Sequence, residues 1–145
     1  MSVVARPYRE DDFETVTSIW LRSWQSTGVA SPVTLDDLRQ RWPLELAKGW
    51  IVHVAVLGSE VVGFVAWIGE KLEQLFISPA RQSRGIGKQL LDLVKTYRPD
   101  GFYLMAALQT RAGKFHEREG LVRGPVSVHP KFGHEIVRYD WVPRI

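Results

Sequence analysis

The chain has 145 residues, of which 45% are hydrophobic and 24% charged, with a net charge of +3 at pH 7 and no cysteine. These proportions are typical of a globular protein, and we expect one cytoplasmic domain over residues 1–145. The absence of cysteine excludes disulfides, thiolate zinc sites and a covalent acyl-cysteine mechanism. No apolar run approaches the ~20 residues that span a bilayer, and the basic residues are dispersed, so we expect neither a membrane nor a nucleic acid as partner.

The first part of the sequence predicts a short strand followed by two helices. The strand covers residues 3–6, and the capping-box spacing Asp11-x-x-Glu14 follows it. A second capping spacing, Thr34-x-x-Asp37, begins another helix after a predicted loop at 28–32, and we expect Pro43 to kink or end that helix. Apolar residues at helical intervals mark the first helix, namely Phe13, Val16, Trp20 and Trp24.

Three strands are predicted next. Residues 50–57 and 61–68 are rich in β-branched residues and are joined at Gly58-Ser59, a favourable two-residue hairpin turn. A second turn leads into a strand over residues 71–77. These three strands predict an antiparallel meander.

A glycine-rich turn follows the third strand of the meander and precedes an amphipathic helix. Gly85 and Gly87 are spaced by one residue, and glycine lets the backbone bend and brings bare amides close to a ligand. The first N–H groups of a helix have no internal partner, and the helix dipole adds positive potential there. Because Arg81, Arg84 and Lys88 crowd the same turn, the sequence predicts a site for a polyphosphate that neutralises them.

Two well-known phosphate loops do not match this turn. The dinucleotide fingerprint Gly-x-Gly-x-x-Gly fails because Leu90 occupies the third glycine position. The nucleoside-triphosphate loop fails because Gln89 stands where a serine or threonine hydroxyl is needed. The motif that remains is Gln-x-x-Gly-x-Gly over residues 82–87.

The last part of the sequence predicts two helices and three strands. The helix after the glycine-rich turn ends at Arg98-Pro99-Asp100-Gly101, and a strand over residues 102–107 follows. A helix from Thr110 to Glu119 is closed by Gly120, and two strands over 121–128 and 135–142 complete the chain. The patterning predicts a mixed α/β sandwich. One face of the helix after the turn carries apolar residues, namely Ile86, Leu90, Leu91, Val94 and Tyr97.

With these motifs the chain resembles the GNAT superfamily of acyl-CoA-dependent N-acyltransferases. The family hallmark, Gln/Arg-x-x-Gly-x-Gly/Ala between the fourth strand and the third helix, matches residues 82–87 and their lead-in Ile77-x-Pro79. The later stretch from Ala112 to Leu121 is similar to the family pattern Ala-x-x-Phe-Tyr-x-x-x-Gly-Phe. The resemblance covers nearly the whole chain. It implies a mostly antiparallel central sheet flanked by helices, and acetyl-CoA as the acyl donor without a metal.

The resemblance also implies which residues bind the donor. A backbone amide just after a bulge in the fourth strand polarises the thioester carbonyl in this family, which maps to Leu75, Phe76 and Ile77. Gln109 stands where the family often has an asparagine that hydrogen-bonds the pantetheine or a water, and Phe115 would wall the pantetheine channel. The residues that would meet the pyrophosphate are Arg81, Gln82, Ser83, Arg84, Gly85, Ile86, Gly87 and Lys88.

Two residues are candidates for acid–base catalysis. Glu73 lies two residues before Leu75, so in a regular strand it shares a face with the reaction centre and is a candidate base, directly or through water. His116 occupies the position of the family tyrosine that protonates the leaving thiolate, and imidazole can do the same near neutral pH. The alternatives are a surface carboxylate for Glu73 and a histidine packed between helix and sheet for His116.

The acceptor site is less defined by the sequence. The loop after the first helix and the loop between the last two strands usually shape the amine pocket in this family, and Trp24 is our main candidate for lining it. The sequence leaves open whether the acceptor is a small amine or a peptide or protein amine, the acyl chain length, and whether the protein forms a homodimer. A non-catalytic acyl-CoA-binding module is the alternative function. Further residues on these loops are Ser26, Thr27, His129, Lys131, Phe132 and His134.

Overall fold

The computed structural model describes residues 2–26, 33–81, 85–108 and 112–143. In these ranges the chain forms seven strands and four helices around one sheet. The strands are β1 (Val3–Pro7), β2 (Ile51–Leu57), β3 (Glu60–Ile68), β4 (Lys71–Ile77), β5 (Phe102–Ala107), β6 (Val122–Val128) and β7 (Glu135–Trp141). The helices are α1 (Phe13–Ser26), α2 (Leu35–Lys48), α3 (Ile86–Tyr97) and α4 (Ala112–Arg118).

The sheet has the strand order β1-β2-β3-β4-β5-β7-β6. Every neighbouring pair is antiparallel except β4 and β5, which are parallel. The predicted meander β2-β3-β4 and the α/β fold class are therefore confirmed. That a single domain extends over all of residues 1–145 stays a prediction.

Two hydrophobic cores lie on opposite faces of the sheet. On one face, α1 and α2 bury an aromatic cluster against β2 and β3 that includes Trp20, Trp42 and Phe64. On the other face, α3 packs through Leu90 and Leu91. Apolar residues alternate along β3, so this single strand supplies both cores.

The start of α1 differs from the expected capping box. A 3₁₀ turn over Glu10–Asp12 precedes the helix, and the buried carboxylate of Asp12 accepts the backbone N–H of Arg9 at 2.8 Å. The Arg6 guanidinium donates to both oxygens of Asp12, at 2.8 and 2.9 Å. Asp12 therefore organises this turn, and the expected pairing of Asp11 with Glu14 is wrong.

Helix α2 begins as predicted and ends later than predicted. Thr34 and Asp37 exchange both capping hydrogen bonds, at 3.2 and 2.9 Å. The helix runs five residues past Pro43, to Lys48, so the expectation that Pro43 ends it is wrong. Pro43 is exposed, so water can reach the carbonyl group that lacks its usual N–H donor, while buried Leu38 and Trp42 anchor the helix.

None of the helices that the structure describes is long and apolar enough to cross a membrane.

Candidate active site

Strand β4 contains a bulge at Glu73. Trp67 of β3 pairs with Leu72 and Ala66 pairs with Gln74, so Glu73 is an extra residue without a partner on β3. An extra residue reverses the alternation of side chains beyond it. Leu72 and Leu75, three residues apart, consequently both pack into the α3-side core.

The bulge corrects the geometry expected for Glu73. Counting two residues from Glu73 to Leu75 places both on one face only in a regular strand, and β4 is irregular at Glu73 itself. The Glu73 carboxylate lies 3.5 Å from the ammonium group of Lys71, and both side chains are partly exposed. Glu73 is therefore a half-buried carboxylate at the irregular point of β4, and its role as base stays a prediction.

Beyond the bulge, alternate backbone groups of β4 face away from β3. Ser78 donates its N–H to the Val62 carbonyl of β3 at 2.8 Å. Because strand groups alternate in direction, the N–H and C=O groups of Ile77 and Leu75 point to the opposite edge. The Ser23 hydroxyl, from α1, donates to the Ile77 carbonyl at 3.1 Å, which agrees with this direction.

The opposite edge of β4 opens into a gap. Parallel pairing with β5 covers only two positions, Lys71 with Tyr103 and Leu72 with Leu104. β5 itself continues to Ala107 and stays paired with β7 along its other edge. β4 and β5 therefore separate beyond Leu72, and the Leu75 amide faces the space between them.

The two glycines of the predicted turn lie at the start of α3, which follows β4 in the chain. Gly85 precedes the helix with φ +75°, in the left-handed region, and no atom of the described residues lies within 4 Å of where a Cβ would stand. Gly87 has a different role, because a Cβ there would lie 3.3 Å from the Phe115 ring of α4. Gly85 thus shapes the turn, whereas Gly87 allows α4 to approach the first turn of α3.

The cations near the turn are less free than the sequence suggested. The Arg81 guanidinium lies 3.0 Å from the Glu60 carboxylate. The Lys88 ammonium group lies 3.1 Å from Asp92 and 3.2 Å from Glu119, and the pKa of Lys88 is raised by these hydrogen bonds and charges. Arg81 and Lys88 therefore have carboxylate partners within the protein, so a bound polyphosphate is not needed to neutralise them.

His116 is a buried titratable group on α4, the helix whose Phe115 ring approaches Gly87 at the start of α3. Its side chain is 6% exposed, packs against the rings of Phe115 and Tyr139 at centroid distances of 5.4 Å each, and has no hydrogen-bond partner at Nδ1 among the described residues. Burial lowers the pKa of His116 to about 4. The imidazole is therefore neutral at pH 7 in this structure, and its role in proton transfer stays a prediction.

The structure brings together residues from the two loops expected at the acceptor side. Trp24, near the end of α1, lies 6.0 Å from the ring of Phe132 and 6.4 Å from that of His134, both between β6 and β7. The His129 ring stacks on both Phe132 and His134 at 5.0 Å. Burial lowers the pKa of His129, with smaller contributions from His134, Lys71 and Lys131.

The β6–β7 connection also borders a pocket against α2. This pocket holds about 330 Å³. It is open to solvent and lies next to the ring cluster around Trp24, because Phe132 contributes to both. Its lining residues are Val33, Asp37, Gln40, Arg41, Leu44, Lys131 and Phe132.

Several predicted site residues lie outside the described residues, namely Thr27, Gln82, Ser83, Arg84 and Gln109. The Ser26 side chain and the predicted helix start at Thr110 lie outside them as well. Within the described ranges, no group of three or more His, Asp or Glu residues could hold a metal ion.

Two residues of the site were not identified from the sequence. Ser23 contacts the backbone of β4 across 54 positions of sequence, and Tyr139 reaches α4 from β7. Ser23 follows the helical periodicity of α1 as an ordinary buried position, so no local signal marks it. Tyr139 is at a buried position of β7, as expected for a core residue, so the pattern does not reveal its contact with His116.

Comparison with known proteins identifies the family. Residues 48–122 match the family model of the acetyltransferase (GNAT) domain. The chain belongs to the GNAT acetyltransferase family. It is an acyltransferase by this membership and by its N-acetyltransferase relatives, which favours a catalytic protein over the non-catalytic module.

Two relatives and one solved structure illustrate the similarity of this GNAT protein to others. It is 31% identical over 125 residues to peptidyl-lysine N-acetyltransferase YjaB of Salmonella typhimurium, covering 83% of each chain. It is 30% identical over 96 residues to the uncharacterized N-acetyltransferase YafP of Escherichia coli, covering 62% of this chain and 63% of YafP. The chain thus spans less than two thirds of YafP. PaiA N-acetyltransferase of Thermoplasma acidophilum, solved in complex with coenzyme A, shares the fold with a TM-score of 0.72 and 20% identity over 98% of this chain and 99% of PaiA.

Proposed function

We propose that this GNAT protein transfers an acetyl group from acetyl-CoA to the ε-amine of a lysine in a peptide or protein, by direct attack in a ternary complex. Acetyl-CoA would supply an activated acyl thioester. The absence of cysteine supports direct attack, since no thiol can hold the acyl group covalently. The lysine acceptor is supported by the name of the relative YjaB, and the donor by the coenzyme A bound to PaiA.

The observation that carries the proposal is the gap between β4 and β5. The Leu75 amide faces this gap from a strand whose other edge is fixed by β3. A preorganised N–H donor of this kind can stabilise the negative charge that develops on a carbonyl oxygen under attack. The residues around Leu75 therefore fit the polarising role that the family resemblance implies.

The start of α3 fits the diphosphate end of the donor. Gly85 is left-handed, no described residue lies within 4 Å of where its Cβ would stand, and the first backbone amides of α3 lie directly after it. Amides at a helix start bind phosphate oxygens without needing a side-chain charge. This matters here, because Arg81 and Lys88 already have carboxylate partners.

Glu73 is the proposed base. Its carboxylate is partly exposed at the bulge and can take a proton from the attacking amine, directly or through water. Glu73→Gln keeps the size and removes the basic carboxylate, so we expect kcat to fall by about 100-fold. Glu70→Gln, in the exposed turn just before β4, is the matched control and should leave kcat unchanged.

Donor binding is tested by calorimetric titration of the protein with acetyl-CoA, coenzyme A and ATP. We expect binding of both forms of coenzyme A and none of ATP, since only the former have a pantetheine chain to fill the gap between β4 and β5. Absence of binding by either coenzyme A form would overturn the proposal, and with it the role of the glycine-rich turn.

Acceptor choice is tested by release of free thiol from acetyl-CoA with four acceptor classes at equal concentration. These are a lysine peptide, a matched peptide with its lysine ε-amine blocked, a polyamine and an aminoglycoside. We expect thiol release with the lysine peptide and none with the blocked peptide. Turnover only with the polyamine or the aminoglycoside would support acetyltransferase activity but overturn the proposal that the acceptor is a peptide lysine.

A further inference from the structure

The connection between β6 and β7 is a compact turn that begins at His129. The His129 backbone N–H donates to the His134 carbonyl at 2.8 Å, and the His129 carbonyl accepts the N–H of Gly133 at 2.9 Å. The Gly133 backbone is left-handed, with φ +75°. These two hydrogen bonds close the base of the turn, and residues 130–132 form its tip.

The tip of the turn is held by the His129 side chain. Its Nδ1 atom accepts the backbone N–H groups of Lys131 and Phe132, each at 3.1 Å. Pro130 has no N–H to satisfy and a fixed φ, so it suits the position directly after such a cap. Nδ1 can accept only when it carries no proton, so both bonds require a neutral imidazole with its proton on Nε2. His129 thus takes the place of the serine, threonine, aspartate or asparagine that usually accepts such N–H groups.

The surroundings of His129 favour its neutral form. Burial lowers the pKa of His129, and nearby basic groups lower it further, so the imidazole is neutral at pH 7. Two carboxylates act on those basic groups, since Glu73 lies 3.5 Å from Lys71 of β4 and Asp37 of α2 interacts with Lys131. Among the described residues, the titratable groups that act on the imidazole are all bases, namely His134, Lys131 and Lys71.

The turn presents the Phe132 ring to both α1 and α2. This ring lies 6.0 Å from that of Trp24 on α1, and it lines the pocket against α2 together with Val33 and Leu44. The His129 ring stacks on the Phe132 ring at 5.0 Å, with the two planes 27° apart. His129 therefore holds Phe132 twice, through the backbone N–H and through the ring. Phe132 is only half-buried, so part of its ring is open to a ligand.

We propose that His129 is a positioning residue for the acceptor, which acts by holding Phe132 against Trp24 beside the α2 pocket. This inference rests on the proposed function and adds that these two rings contact the methylene groups of the acceptor lysine. Aromatic rings pack well on such methylene groups, and this contact can orient the amine without a charged partner. Loss of the His129 hydrogen bonds should therefore weaken acceptor binding and leave donor binding intact.

The first test compares two substitutions of His129 by thiol release with the lysine peptide. His129→Asn keeps an oxygen that can accept the same N–H groups, and we expect the peptide KM within about 2-fold of the wild type. His129→Leu keeps an apolar side chain without an acceptor, and we expect the peptide KM to rise by about 10-fold. The KM for acetyl-CoA should be unchanged in both variants, which also shows that they are folded. Equal peptide KM values in the two variants would overturn the inference.

A double substitution tests whether His129 acts through Phe132. Phe132→Ala removes the ring, and we expect the peptide KM to rise by about 10-fold. Adding His129→Leu to this variant should raise the KM by no more than about 2-fold, because the ring that His129 positions is already absent. Fully additive effects of the two substitutions would overturn the inference.

His53 provides the control for replacing a histidine elsewhere in the fold. It is buried in β2 and stacks on Trp67, which belongs to the core on the α3 side of the sheet. His53→Leu should leave the peptide KM unchanged. An increase as large as that in His129→Leu would assign both effects to a general loosening of the fold and overturn the inference.

A readout that does not depend on turnover is the tautomer of His129. Nitrogen-15 resonances distinguish protonated from unprotonated ring nitrogens, and we expect an unprotonated Nδ1 and a protonated Nε2 at pH 7.5. A proton on Nδ1 would overturn the inference while leaving the proposed function intact. Absence of thiol release by the wild-type protein with the lysine peptide would overturn both.

Discussion

The two edges of β4 behave in opposite ways. Toward β3, pairing extends from Lys71 to Ile77 and is interrupted only by the bulge at Glu73. Toward β5, pairing stops after Leu72. One edge fixes the strand in the sheet, and the other leaves backbone groups facing a gap. The comparison teaches that a single strand can be both scaffold and site, because successive backbone groups point to opposite edges.

Proline substitutions at adjacent positions give the sharpest test of this difference. Leu75→Pro removes an N–H that faces the gap, and we expect kcat to fall by about 100-fold. Phe76→Pro removes an N–H that faces β3, and we expect it to lower the free energy of unfolding by about 3 kcal/mol or prevent folding. Urea denaturation and thiol release on both variants provide the measurements. If Leu75→Pro were the less stable of the two, the assignment of the two edges would be reversed.

Acid should affect the α4 side of the gap strongly. Burial lowers the pKa of His116 to about 4, whereas an unfolded histidine titrates near 6.5. Between these values the unfolded chain binds a proton that the folded chain does not, so stability falls as pH decreases from 6.5 to 4. The expected loss is about 3 kcal/mol, and it ends below pH 4.

The contribution of His116 is isolated by repeating urea denaturation at pH 7, 5.5 and 4 on His116→Gln. Other groups, such as Asp12 with a pKa lowered by its Arg6 hydrogen bonds, also destabilise the fold at low pH, but they remain in the variant. The variant should therefore show a shallower pH dependence than the wild type. Parallel curves for the two proteins would contradict the burial of a neutral imidazole.

The close contact of β3 and β4 predicts a smaller effect at Gly63. A Cβ there would lie 2.9 Å from the Phe76 carbonyl oxygen and 2.8 Å from the Ile77 side chain. Gly63→Ala should lower the free energy of unfolding by about 2 kcal/mol, because a backbone atom has to move. Thermal denaturation checks the stability, and calorimetry should show acetyl-CoA binding preserved in the variant that remains folded. A stabilised Gly63→Ala protein would contradict the contact.

The smallest stability effect is expected at Gly85, and its matched control is Gly69. Both have φ in the left-handed region, at +75° and +55°, and at both no described residue lies within 4 Å of where a Cβ would stand. Alanine at either position should cost about 1 kcal/mol of stability. Only Gly85→Ala should also weaken acetyl-CoA binding in calorimetry, since Gly69 lies in the turn between β3 and β4. Equal affinities of the two variants would separate the glycine-rich turn from donor binding.

Much of the fold was predictable because local signals were strong. The Gly58-Ser59 turn, the strands on either side of it and the α3 helix after Gly85 follow from apolar periodicity and turn residues. The bulge at Glu73 also left a signal, since Leu72, Leu75 and Ile77 change phase within one strand. The prediction of a regular strand over residues 71–77 missed this bulge.

The site was less predictable because its contacts join distant parts of the sequence. Glu60 pairs with Arg81 and Glu119 pairs with Lys88. The residues near Arg81 and Lys88 in the sequence do not indicate these distant partners. The burial that keeps His116 neutral depends on Tyr139 reaching α4 from β7. The charge of a side chain depends on its surroundings in the folded molecule. Residue type alone could therefore suggest His116 as an acid but could not determine its protonation state.

The short β4–β5 pairing suggests where the chain could be split into two fragments. Among the described residues, two pairs of the sheet join the β1–β4 segment to the β5–β7–β6 segment, and the turn at 98–101 lies between them in sequence. Cutting the chain there would yield two complementary fragments that meet at this short strand pairing and through the α3-side core, which contains residues of both. A donor seated in the gap would contact both fragments, so its binding would promote their reassembly by mass action. A split version of this protein would then report donor concentration through complementation.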